Sequence, residues 1–368
     1  MTMRKEFDTT ILLLAVVLTC LGVVMVYSSS SIVAAKRYGD GFYFLKRQGL
    51  FALLGFGVMI VAMQVDYHRL RPLAVPFLFG CVALMVLVLV PGISSRAGGA
   101  SRWIRLPGFS LQPSELAKLG LVLYMAHSLA KKKEKIKSFT LGFIPYMVVL
   151  ALLLLLLLLQ PDLGSAITLG GVAMVMLLVA GTRLVYLASL GILSMPFLYF
   201  LVMNVAYRRK RILAFLHPWQ DPTNTGFQII QSWIAFGTGG LFGNGLGEGK
   251  QKLFYLPEAH TDFIFSVVGE ELGFIGVFVI AALFLMLVVR GFRTALRAPD
   301  DFGRYLAFGL TLLLGLEAFV NIGVVMGMLP TKGLALPFLS YGGTSLLTSL
   351  AAVGVLLNIS SQAVEGAT

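Results

Sequence analysis

Ten times along its 368 residues the chain carries an apolar run long enough to cross about 30 Å of hydrocarbon. The runs lie near 9–28, 46–65, 72–92, 112–130, 139–159, 164–181, 184–205, 262–290, 302–327 and 341–360. In lipid every backbone N–H and C=O must find its partner within the protein, and runs of this length do so as helices. Only 12% of the residues are charged, too few to clothe several soluble domains. The expected fold class is therefore all-α: a polytopic integral membrane protein of about ten transmembrane helices, with a large outer loop before the eighth span. The first run has a basic lead, Arg4 and Lys5, but it outlasts a signal-peptide core and similar runs follow, so it reads as an uncleaved anchor. Ten spans put both termini on one side. Arg69, Arg71, the KKKEKIK run at 131–137, Arg183 and the arginines of 290–304 share that side, which makes both termini cytoplasmic.

The opposite face is also basic, which that rule does not require. Lys36, Arg37, Arg96, Arg102, Arg105, the RRKR run at 208–211, Lys250, Lys252 and Lys332 fall there. Long loops translocate whatever their charge, and this covers part of the excess. Cations clustered beside a bilayer also suit a phosphate-bearing head group, so an outward anion site is expected. Cys20 and Cys81 lie within apolar spans and imply no disulfide, and the histidines lack the spacing of a zinc site.

One stretch, LFYLPEAHTDFIFSVVGEELGF at 253–274, sets carboxylates and a histidine against the start of an apolar helix. Pro257 breaks what precedes it, and Thr261 or Asp262 suits a helix cap, so Asp262 is expected at a helix N-terminus. At 100° per residue Ser266, Gly269 and Gly273 share its stripe, which should face protein or water. Glu270 lies deeper on the same helix, and an acid within a span is a functional candidate. Glu115 and Lys118, three apart, can neutralise each other on one face or serve a substrate. Glu317 and Asn321, four apart, can hydrogen-bond. Tyr27 and the serines to Ser31 read as an interfacial exit, and the leucines at 152–159 as lipid-facing filler. Asp162 beside Gly164 reads as a turn or cap. In the long loop, 206–261, GFQIIQSWIAFG reads as a half-buried interfacial helix. The glycine-rich GTGGLFGNGLGEG that follows matches neither nucleotide-binding glycine pattern, so it reads as tight turns or close backbone approach. Trp103 suits an aromatic belt.

The motifs PEAHTDFIF with GEELGF, RWIRLPGFSLQPSELAKL, YRRKRILAFLHPW, GFQIIQS, GLGEGKQKLFYLPEAHTD and PTKGLALPFLSYGGTSLL are together similar to the SEDS proteins of bacterial envelope synthesis. The similarity spans nearly the whole chain, implying one SEDS transmembrane domain over 1–368 with an extracytoplasmic loop at 206–261. Within the family the PTKG turn and the YRRKRI run resemble division and sporulation members more than elongation members. His217 departs from the pattern, since an aspartate is expected before the Pro-Trp pair.

The resemblance implies a peptidoglycan glycosyltransferase that polymerises lipid II at the outer face of the cytoplasmic (inner) membrane, at the division septum. The implied partners are a class B penicillin-binding protein, other divisome membrane proteins and membrane lipids, with no nucleic acid. The family's essential aspartate falls on Asp262 and its conserved lysine on Lys332. Chemistry fits these roles: an acceptor sugar hydroxyl is too weak an acid to attack unaided, so Asp262 serves as general base, with inversion expected. Cations at the departing diphosphate lower the barrier, and Lys332, Arg102, Arg208 and Arg211 are the candidates. Glu258, His260, Glu115, Lys118 and Ser340 complete the candidate substrate-binding set. A divalent cation, Mg or Mn, held by Glu258 or Asp262 could share the task, though no ligand spacing specifies one. Burial would raise the pKa of Asp262 while cations would lower it, and the sequence leaves the sign open. Two other readings compete: a lipid II transporter, for which Glu115, Lys118, Glu270 and Glu317 would mark the path, and a scaffold recruiting a synthase, for which Asp262 would be dispensable.

Overall fold

The apolar runs all become helices in the computed structural model, and the ends of those helices decide where the chemistry sits. The structure describes residues 7–363 except 92–93, 98–99, 107–108, 134 and 253–255, and backbone only at 94–97, 100–101, 106, 197–198, 201–202 and 207. The first three residues of the 253–274 stretch, Pro107 and Gly108 of the RWIRLPGF motif, Glu134 of the lysine run and the side chains of Arg96 and Tyr207 thus lie outside the described set. In chain order the helices are α1 (Thr9–Tyr38), α2 (Tyr43–Gln64), α3 (Leu70–Leu89), α4 (Pro113–Lys131), α5 (Ile144–Leu159), α6 (Leu163–Val179), α7 (Leu184–Met203), α8 (Ala206–Leu216), α9 (Phe227–Gly239), α10 (Ile264–Arg297), α11 (Asp301–Val325) and α12 (Gly343–Ser360). Among the described residues seven helices are long and apolar enough to cross a membrane: α1, α2, α3, α5 with the wide turn before it, α10, α11 and α12. The other expected spans are shorter or more polar. α6 has 17 residues, and α4 carries Glu115 and Lys118 in its first two turns.

Three departures from expectation matter. The loop between α3 and α4 holds a small antiparallel sheet, β1 (Ser94–Ala97), β2 (Ala100–Leu106) and β3 (Phe109–Leu111), so the fold is mostly rather than wholly helical. Ile104 is buried and Arg105 exposed, but the adjacent apolar pair Trp103 and Ile104 breaks any alternation that would have marked a strand in the sequence. The helix does not end at Tyr27. α1 runs on to Tyr38, and Ser29 and Ser30 return their hydroxyls to the carbonyls of Met25 and Val26, which leaves the serines buried within the helix. The leucine run is filler on one side only, because Leu153, Leu156 and Leu157 are buried while Leu152, Leu155 and Leu159 are exposed.

α10 is broken. Gly273 adopts φ 65°, ψ −165°, dividing a short arm, 264–272, from a long helix of about 36 Å, 274–297. The glycine-rich loop fills the break with its own backbone: Phe274 and Ile275 donate to Gly240 and Leu241, while Asn244 and Gly245 donate to Glu270 and Glu271. Glycine is required here. A Cβ on Gly273 would lie 2.3 Å from the nitrogen of Gly243, and one on Gly243 would lie 2.1 Å from the oxygen of Glu271. The close approach expected of these glycines is made, and what they approach is the chain itself.

Candidate functional site

The site is built where the arm of α10 meets the loops before α4, α6 and α12. Asp262 does not cap the arm. The cap position is Phe263, without a side-chain hydrogen bond, and Thr261 turns instead to Glu258, 2.8 Å away. Tertiary bonds place Asp262 in its stead. Asn321, buried in α11, donates to the carbonyls of Asp262 (2.9 Å) and Leu334 (2.6 Å), so one amide pins both loops. This takes Asn321 away from the bond expected with Glu317. Ser340 is a clasp of the same kind, donating to the carbonyl of Thr261 (2.6 Å) and accepting from the Leu336 amide (2.8 Å). The Tyr341 amide completes the join at the His260 carbonyl.

Gly333, next to Lys332, lies against Asp262: a Cβ there would sit 3.0 Å from the carboxylate oxygen. The carboxylate itself makes no hydrogen bond or ion pair with a described residue. Desolvation pushes its pKa up to about 7, helped by the charges of Glu258 and Asp162 and opposed by Arg102 and Arg211. The open sign is thereby decided: burial outweighs the cations. Arg102, presented by β2, donates to the carbonyls of Gln160 and Pro161 and stands 3.9 Å from Asp162. Asp162 caps α6 through Ser165, as expected. Arg211, on α8, donates to the Thr331 carbonyl beside Lys332 (3.2 Å), and Arg208 lies three residues before it on the same helix. Desolvation lowers the Lys332 ammonium to about 8, and no described group pairs with it.

Four expected site residues take other places. Glu115 and Lys118 are buried and bond to each other (2.8 Å), and Lys118 also bonds Glu317 of α11, so the pair is a triad joining two helices. Glu270 accepts from the backbone amides of Lys250 (2.7 Å) and Gln251, holding the glycine loop. His260 packs against Phe44 and Tyr341, and burial lowers its pKa. Lys252 leaves the outer basic set altogether, because it is buried on Glu271 (2.8 Å), which also binds Ser28 of α1. Nineteen residues separate Lys252 from Glu271, and no local pattern links them. Glu258, the proposed metal partner of Asp262, is exposed, and among the described residues no three His, Cys, Asp or Glu side chains converge.

The Cell cycle protein family, FtsW/RodA/SpoVE, matches residues 8–365. The chain belongs to this family of SEDS proteins. It is 67% identical over 97% of its length, and 96% of the relative's, to the probable peptidoglycan glycosyltransferase FtsW of Geobacter metallireducens. Stage V sporulation protein E of Bacillus subtilis is 45% identical over 98% of both chains. Among solved structures, a chain of a peptidoglycan synthase complex coordinating polymerization and crosslinking superposes with a TM-score of 0.80 at 32% identity, covering 96% of this chain and 98% of that one. The rod shape determining protein RodA of Thermus thermophilus gives 0.72 at 29% identity, covering 96% and 97%.

Proposed function

We propose that this SEDS protein is a peptidoglycan glycosyltransferase that joins lipid II units into glycan strands. The observation that carries the proposal is Asp262: a carboxylate with no partner among the described residues, held near neutrality by desolvation, with the charges of Arg102 and Arg211 acting on it and Gly333, the neighbour of Lys332, packed against it. Its pKa of about 7 suits a group that must take a proton at the pH of the envelope. Asp262 accepts the proton of the acceptor sugar hydroxyl as that oxygen bonds to the donor's anomeric carbon. The bond from that carbon to the diphosphate breaks on the opposite face, so configuration inverts with a single base. Lys332, at the desolvated tip of the PTKG turn, meets the charge growing on the departing prenyl diphosphate, assisted by Arg102, Arg211 and Arg208. Mg or Mn would find two carboxylates here, Glu258 and Asp262, and would take its other ligands from diphosphate and water, so every step above rests on the chain's own residues.

On this reading the Asp262 end of the bundle is extracytoplasmic, and ten spans leave both termini in the cytoplasm. The opposite end supports this. There Asp8 receives Arg290, Lys133 meets Asp301, and Tyr67 bonds Asp300 and Asn358, amid the short basic loops. The surroundings proposed are the inner membrane at the septum, with a class B penicillin-binding protein crosslinking the strand, other divisome membrane proteins and membrane lipids. The transporter reading draws less support, since Glu115, Lys118, Glu270 and Glu317 are each satisfied by protein bonds. The test is polymerisation of purified lipid II by the detergent-solubilised protein, with and without its penicillin-binding partner, for wild type and Asp262→Asn. Strands from wild type alone support the reading. Strands from both proteins would remove Asp262 from the chemistry.

A further inference from the structure

Beside the Asp262 pocket, rings from four segments meet in a continuous row. Tyr38, the last residue of α1, stacks on Tyr43 of α2 at 4.0 Å between centroids. Tyr43 meets Phe44 edge-on at 5.2 Å, and Phe44 reaches His260 at 4.7 Å and Tyr341 at 4.9 Å. One end of the row is thus Tyr38, 47% exposed, and the other is His260, two residues from the proposed base. The row is braced. The Arg47 guanidinium lies over the Tyr43 ring at 5.0 Å, while Gln48 donates to the Ser340 carbonyl. The α1–α2 hairpin is therefore fastened to the same two loops that position Asp262.

A belt of rings at the lipid boundary is the ordinary explanation for aromatics near a membrane. One observation opposes it: the row runs inward from Tyr38 through Tyr43 and Phe44 to His260, two residues from the proposed base, whereas belt rings face lipid. α1 has 30 residues, about 45 Å, against about 30 Å of hydrocarbon, so its last turns reach past the tails to the polar zone. Charge surrounds the exposed end: Lys36 and Arg37 precede Tyr38, and the solvent-exposed Asp40–Lys46 pair follows it. Rings flanked by cations suit a polymer with flat apolar sugar faces and scattered carboxylates.

We infer that this row is a carbohydrate platform: it binds the amino-sugar strand next to Asp262, stacking a pyranose face on the outer side of Tyr38, which Tyr43 backs, and meeting the strand's carboxylates with Arg37. The nature of the strand rests on the glycosyltransferase reading. The test uses the full chain in detergent and, as probe, a hexasaccharide alternating N-acetylglucosamine and N-acetylmuramic acid, with binding followed by saturation-transfer NMR and calorimetry. Tyr38→Ala weakens binding about tenfold, the worth of one good stacking contact, whereas Tyr38→Phe, which keeps the ring, binds like wild type. Strands made from lipid II by Tyr38→Ala are correspondingly shorter. Unchanged hexasaccharide affinity in Tyr38→Ala, with the protein folded by thermal melting, overturns the platform. So does a change confined to insertion into phosphatidylglycerol vesicles, which assigns the rings to the lipid boundary. Because binding is read without turnover, wild type that binds the probe through Tyr38 yet makes no strands would sink the glycosyltransferase reading and leave the platform standing.

Discussion

Two regions of this molecule withdraw acids from water, one inside the bundle and one in a partly open pocket, and they treat them in opposite ways. In the triad, Lys118 lies between Glu115 and Glu317, all three inside the bundle, each bonded to another. In the pocket, Asp262 is held by its backbone while its carboxylate accepts from no described donor, and the cations beside it bond carbonyls, Arg102 those of Gln160 and Pro161, Arg211 that of Thr331. A satisfied buried charge links helices and is inert. An unsatisfied one is raised in free energy until a ligand or a proton arrives, and that is the condition a base needs.

The comparison can be broken at several points. Asp262→Asn removes the only proposed base and should lower polymerisation about 10²–10⁴-fold in a lipid II assay. Retained turnover would make the pocket as structural as the triad. Lys118→Met should instead show itself in stability, costing about 3–5 kcal/mol in detergent unfolding by stranding two carboxyls, and adding Glu115→Gln with Glu317→Gln should recover most of the loss. A Lys118→Met protein that is stable but inactive would move the triad into the site. Lys332→Met should lower kcat/KM about 10²-fold without loss of thermal stability, since the ammonium has no described partner to strand.

pH sharpens the contrast further. Asp262 must be ionised and Lys332 protonated, so the rate should climb about tenfold per unit below a pH of about 7 and decline above about 8. A flat profile across that window would separate both groups from the chemistry. The smallest effect is on folding. Between its ordinary pKa of 3.8 and about 7, native Asp262 keeps a proton the unfolded chain has lost, so stability falls as pH rises across that interval. Asp262→Asn should therefore be more stable than wild type by about 1–2 kcal/mol at pH 8, allowing for screening by the pocket's partial exposure, and no more stable at pH 3. Thermal melts at the two pH values measure it.

Much of this was legible in the chain, and the reason is the solvent. A bilayer demands uninterrupted apolar runs, so every expected span appears as a helix within a few residues of its place, apart from the longer α1 and the broken α10. The basic loops were equally plain, because charge near lipid stands out against so little charge elsewhere, whereas Lys332 was singled out by the family resemblance of its PTKG turn. Periodicity also paired Glu115 with Lys118, since neighbours on one helix face are a local matter.

What only the tertiary structure decided depends on contacts between distant segments. Asn321 binds Asp262 and Leu334 rather than Glu317, Lys252 finds Glu271 and Ser28, and Glu317 completes the triad from another helix. No spacing rule reaches across 19, 59 or 199 residues. The break at Gly273 was hidden for a related reason: glycine is common in membrane helices, and it becomes a break only where the loop at 240–245 arrives to take the freed backbone bonds. The sign of the Asp262 shift is the last example. Residue types named its burial and its cations alike, but their balance is set by distances, and those exist only once the loops have closed.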